Sequence, residues 1–299
     1  MRPEAMALLA ATCWAVASTF SVGPAQRLGA IAFSRWRMLF ASLVLWALAL
    51  GSGGWRSLDA SAWGLLALSG LIGIFIGDTA LFTCMNRLGP RRSGVLFACH
   101  ALFSALLAWA WLGEVLWGWT LLGSGLLMAG VMIAIVWGKR SEEGHHWEQT
   151  RGRLWVGVAL GLVAALCQSL ATLMLKPLMA TGSLDPVAAS AARMSMALLA
   201  HALLWGSGWK PARSPKPISA RDAGLVFGSA AIAMALGMTL ILRALSEGQA
   251  GIVAIFSSVS PIVILPLLWL IYRRRPALGA WIGAALAIGG TALILGHPA

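Results

Sequence analysis

The chain has 299 residues, 59% of them hydrophobic and only 11% charged, with a mean hydropathy of +0.82. Soluble domains carry about 25% charged residues, so this chain lacks the polar surface that a water-soluble fold of its length needs, and its solvent is lipid. The net charge of +12 falls in short breaks between apolar runs, a pattern of membrane topology and headgroup contact rather than of nucleic-acid binding.

A spanning helix needs about 20 mostly apolar residues. Ten runs meet that length: 5–22, 33–50, 63–86, 92–112, 117–137, 154–176, 187–206, 222–245, 249–272 and 277–296. The first lacks a clear basic segment ahead of it and is followed by further spans, so it reads as a membrane helix, not a signal peptide. Tryptophans such as Trp55, Trp63, Trp117, Trp137, Trp155 and Trp209 stand at run ends, where indole rings prefer the membrane–water interface. Cys13, Cys84, Cys99 and Cys167 lie inside apolar runs with no metal spacing and read as small buried hydrophobes. The longest polar break, 138–153, divides the chain near its middle and carries His145 and His146, which read as part of a solvated linker.

The two sides of that break match. An offset of 160 residues brings Ser69 onto Ser229, Gly77 onto Gly237, Thr79 onto Thr239, Gly123 onto Gly283 and Gly130 onto Gly290. Earlier in each half the offset is smaller, with Cys13 meeting Cys167 and Arg35 meeting Arg193. The organisation expected is a five-helix repeat over 1–137, a polar linker over 138–153 and a second five-helix repeat over 154–299. Five crossings per repeat put the halves in opposite orientations, so the fold expected is an all-α integral membrane protein with ten transmembrane helices in two inverted repeats around a central cavity. Lys and Arg number 17 in the odd-numbered breaks and 5 in the even-numbered breaks and termini. That places the odd breaks in the cytoplasm and both termini outside it.

Several stretches carry a family resemblance: Cys13-Trp14-Ala15, Phe33-Ser34-Arg35-Trp36-Arg37, Leu112-Gly113-Glu114, Gly123 with Gly130, and Ser260-Pro261. In this order they resemble the drug/metabolite transporter superfamily, EamA-type. The second half departs from the pattern, with Arg273-Arg274-Arg275 after Tyr272 where the acid would stand, and the fourth helix has His100-Ala101 where the ninth has Ser260-Pro261. The resemblance implies a multi-pass carrier in the cytoplasmic (inner or plasma) membrane. It implies movement of small metabolites, amino acids or drugs, often outward, through a cavity lined by both halves. It also implies cytoplasmic termini, opposite to the charge count.

Ionisable groups inside a span are costly and point to function. Asp78 lies within the third run and is a candidate for cation binding or proton coupling; His100 is mid-span in the fourth, where the resemblance places the cavity. Trp14, Ser18, Gln168, Ser257 and Ser260 complete the candidate cavity lining. Arg243 and Glu247 are spaced for an i,i+4 ion pair. The sequence has no Walker A motif, no H-E-x-x-H and no G-x-S-x-G, and no cofactor or metal site is expected. The function expected is a secondary transporter, in preference to a lipid-linked carrier flippase, an intramembrane enzyme, or a receptor with a soluble output domain.

Overall fold

The computed structural model describes residues 1–137, 152–260, 262–263 and 278–296. The linker 138–153 and the second half of the ninth run, including Pro261 and Arg273 to Arg275, fall wholly or mostly outside the described residues. In chain order the described residues form ten helices: α1 Pro3–Leu28 and α2 Ala30–Ser52, α3 Ala60–Leu88, α4 in two segments, Pro90–Ala98 and His100–Leu112, and α5 Gly118–Trp137. There follow α6 Leu154–Ala180, α7 Pro186–Gly206, α8 Ala220–Glu247, α9 beginning with Ala250–Ser257, and α10 Leu278–Gly296. Seven of them are long and apolar enough to cross a membrane.

Local chemistry explains the corners. Gly29 at φ 82 lets α1 turn directly into α2, a backbone region closed to most side chains. The side chains of Asp59, Asp185 and Ser219 accept from the amides of Ala62, Ala188 and Asp222 and so start α3, α7 and α8, satisfying amides that have no intrahelical acceptor.

Helices pack across the halves. α5 lies along α10, α2 along α7, α4 along α9, α3 against α6, and α8 against α1. The glycines show how. A Cβ on Gly123 would lie 2.7 Å from the Gly290 carbonyl oxygen, and one on Gly130 would lie 2.5 Å from that of Gly283. Gly123 matches Gly283 in sequence and Gly130 matches Gly290, so each glycine meets the partner of the other. Two equivalent helices can exchange contacts in this way only when they run antiparallel about a two-fold axis. The repeats are therefore inverted. The same relation recurs where a Cβ on Gly77 would lie 3.1 Å from Cys167 Cβ and one on Gly237 would lie 3.4 Å from Cys13 Cβ.

The second helices correct the expected register. Arg37 and Arg193 are each the eighth residue of their helix, counted from Ala30 and Pro186. This offset of 156 also aligns Ser34 with Ser190, Met38 with Met194 and Ala41 with Ala197. Arg193 thus corresponds to Arg37, not to Arg35. Both are buried within their helices, so neither belongs with the loop charges; removing them leaves 16 against 4 and the same bias.

Five helices depart from regular α geometry: α6 is interrupted at Met174 and Leu175, and the other four depart in matched places. Residues Gly70–Asp78 of α3 and Ala230–Gly237 of α8 are π-helical. α4 is interrupted at Cys99 and α9 at Ser258 and Val259. Such interruptions break the regular i to i−4 hydrogen-bond ladder of a helix.

Candidate functional site

The interior is built where the irregular stretches of α3 and α4 meet α2, α6 and α7. Arg37 Nη1 donates to Asp78 Oδ2 at 2.8 Å, and both side chains are largely buried. The guanidinium also stands 5.1 Å from the Phe82 ring centroid and 5.9 Å from that of Phe33, contacts that favour a desolvated cation. Asp78 is therefore not a lone acid awaiting a substrate cation. It is half of an ion pair, and the Thr79 hydroxyl beside it is buried without a partner among the described residues.

His100 opens the second segment of α4. Its side chain is buried against Phe97, ring centroids 5.1 Å apart, and Nε2 has no partner among the described residues. Its carbonyl accepts from Ser169 Oγ at 2.8 Å, which ties α4 to α6. On α6, Gln168 Nε2 donates to Thr172 Oγ1 at 3.3 Å. In α1, Trp14 Nε1 donates to the carbonyl of Ala233 at 3.1 Å, a bond into the π-helical stretch of α8. The hydroxyls of Ser18 and Ser257 bond to carbonyls of their own helices, Ala15 and Ala254, and Ser260 is half-buried. The side chains of Asp78 and Trp14 thus reach neighbouring helices and the His100 carbonyl is held from α6, whereas Gln168, Ser18 and Ser257 bond within their own helices.

Two features at the ends were not visible in the sequence. At one end Glu114, after α4, accepts from the amides of Ala250 at 2.8 Å and Gly251 at 3.0 Å and so caps the start of α9. A carboxylate there meets the positive end of a helix. Beside it Lys176 Nζ donates to the carbonyls of Leu245 at 2.9 Å and Gly248 at 2.5 Å, closing the end of α8. Lys176 is a helix cap here rather than a side chain reaching out to the headgroups. At the other end Arg27 pairs with Asp222 and Arg35 donates to the Ala212 carbonyl at 2.8 Å while lying over Trp205. Two clefts open there. One of about 480 Å³ is lined by Arg27, Lys216, Arg221 and Asp222; the other, about 720 Å³, by Arg35, Trp36, Trp205, Arg213 and Lys216. Arg243 and Glu247 form the expected i,i+4 pair at 3.0 Å.

The model of the EamA-like transporter family matches residues 1–136 and again 155–296. The chain belongs to the EamA-like transporter family. An EamA-like chain is a membrane transporter, and the two matched stretches are the two inverted halves described above. A solved crystal structure of a protein, 17% identical, superposes with a TM-score of 0.73 over 97% of this EamA-like chain and 94% of its own; at that identity the likeness speaks to the fold alone. No curated protein matches the chain. Among the described residues no cluster of three or more His, Cys, Asp or Glu has the geometry to hold a metal ion.

Proposed function

We propose that this chain is a secondary transporter that exports small metabolites, such as amino acids or drug-like compounds, by alternating access across the cytoplasmic membrane. The observation that carries the reading is the exchanged packing of the two halves, in which Gly123 meets Gly290 and Gly130 meets Gly283. Equivalent inverted bundles have two arrangements of nearly equal energy, related by the pseudo-two-fold axis, and a site between them is reached from one side in each. The interlocked end at Glu114 and Lys176, set against the cleft-bearing end at Arg35 and Lys216, supports this reading. Asp78, paired with Arg37, is the proton-coupling group of this reading: protonation frees Arg37, and the cost of a buried unpaired cation links proton uptake to movement. Asp78, His100, Gln168, Trp14, Ser18, Ser257 and Ser260 face or flank the passage in this scheme, and both termini lie outside the cytoplasm.

The test is efflux from proteoliposomes loaded with a metabolite panel, with and without an imposed pH gradient. Release of at least one compound beyond protein-free vesicles, accelerated by the gradient, is expected. No release of any member against an active control carrier would end the reading.

One observation favours a second reading, a lipid-linked carrier flippase. The larger cleft combines Arg35, Arg213 and Lys216 with the indoles of Trp36 and Trp205, groups suited to a phosphate at the membrane surface. Translocation of a fluorescent lipid-linked phosphate in the same vesicles decides between the two.

A further inference from the structure

The two halves differ in one respect that bears on the substrate. In the first half Arg37 is neutralised by Asp78. In the second, Arg193 occupies the equivalent place, and the position equivalent to Asp78 is Met238. Arg193 is 1% exposed, and its Nε and Nη2 have no hydrogen-bond partner among the described residues.

The described acids are accounted for elsewhere. Asp59 and Asp185 cap helices, Glu114 caps α9, and Asp78, Asp222 and Glu247 pair with Arg37, Arg27 and Arg243. Glu4 lies in the first turn of α1. A guanidinium cannot shed its proton in a protein, and one held from water without a counter-ion is unfavourable by several kcal/mol.

Glycines bring α3 close against Arg193. Gly70 packs directly on the backbone of Arg193, and a Cβ on Gly73 would stand 3.5 Å from Arg193 Nη2 and 2.5 Å from Ala171 Cβ of α6. The residue on α6 equivalent to Trp14 is Gln168, and the carbonyl that Trp14 bonds belongs to Ala233, the counterpart of Gly73. The first half has an indole at this position; the second has a shorter amide, whose Nε2 donates to Thr172. Thr239 donates to Ser190 at 3.4 Å in the second half, at the positions matching Thr79 and Ser34.

We propose that Arg193 binds a carboxylate carried by the transported molecule, which takes at Arg193 the place that Asp78 takes at Arg37. The inference rests on the transport reading above and narrows it to small organic acids, amino acids included. Carboxylate entry turns a buried lone charge into a hydrogen-bonded pair, so the substrate itself stabilises the state in which it is enclosed.

Proteoliposomes are loaded with an equimolar pool of the common L-amino acids and aromatic and aliphatic monocarboxylates, or with the same molecules as primary amides. Release is followed by mass spectrometry for wild type, R193Q, R193K and M238D, and the thermal stability of each purified protein is measured without ligand. The wild type is expected to release at least one acid and to pass its amide roughly tenfold more slowly or worse. R193Q loses acid release by a similar factor, R193K keeps part of it, and M238D blocks it by supplying an internal carboxylate. Without ligand, R193Q and M238D are expected to be at least as stable as wild type.

Equal release of acids and amides, or wild-type rates in R193Q, overturns the carboxylate site while leaving transport standing. Release of neither pool overturns it too, and the broader metabolite panel then judges transport separately. A ligand-free R193Q markedly less stable than wild type marks Arg193 as a structural cation and overturns the site as well.

Discussion

Gly123 and Gly290 approach so closely that a single Cβ on Gly123 would stand 2.7 Å from the carbonyl oxygen of Gly290. Contacts of this kind matter more in lipid than in water, because apolar solvent gives helices no hydrophobic reason to associate and close van der Waals approach must supply the attraction. G123V should therefore force α5 from α10 and destabilise the protein by about 1–3 kcal/mol, the usual range for overpacking. G125V is the control, since a Cβ on Gly125 meets nothing within 4 Å. Thermal unfolding of the purified proteins in detergent checks the pair: a lowered Tm for the first and an unchanged one for the second are expected.

The Arg37–Asp78 pair makes a prediction about sign as well as size. D78N leaves the Arg37 cation buried without its partner and should cost about 3–5 kcal/mol. Adding R37Q should recover most of that loss, because removing both charges removes the imbalance. If Asp78 carries the coupling proton, the double variant regains its Tm yet no longer responds to a pH gradient. Recovery of both stability and gradient-driven efflux would separate the pair from coupling.

Glu114 should act as a latch between α4 and α9. Ala250, whose amide it holds, is fully buried. E114A removes the cap, and loss of an N-cap costs about 1 kcal/mol, which is roughly a fivefold shift between closed and open forms. In a protein cleared of its four native cysteines, A250C should react with a maleimide correspondingly faster when E114A is present. An unchanged labelling rate would make the contact a passive one.

The orientation is open to direct test. With Arg37 and Arg193 set aside as interior groups, the remaining basic residues still favour the odd-numbered breaks, and cytoplasmic loops collect Lys and Arg. A reporter active only outside the cytoplasm, fused after Ala299, should be active; activity of a cytoplasmic reporter at the same point would reverse the assignment.

The number of helices, the duplication and its inversion were legible in the sequence, because apolar runs of bilayer length and paired glycines are one-dimensional signals. The register of the second helices was not. Anchoring on Arg35 misplaces it by two residues, since a short apolar helix offers many chance matches and only the helix starts at Ala30 and Pro186 reveal which arginine is which. Arg193 read as a loop charge for the same reason. The partners of Asp78, Glu114 and Lys176 were invisible for a different one. Each lies at least 41 residues away in the chain or on a backbone group, and a backbone acceptor leaves no mark in residue identity. Nor do the π-helical stretches in α3 and α8 carry a signature beyond their glycines.

The glycine exchange between α5 and α10 also restricts how such a chain can vary. Because the rungs fit only when the two strips run head to tail, each half must traverse the bilayer an odd number of times. Gain or loss of one crossing in either half would turn one strip round, set every rung against the wrong neighbour, and dismantle the seam at once. Parity is thus written into the packing itself, and lengthening the polar segment that joins the halves should be far better tolerated than deleting any single helix.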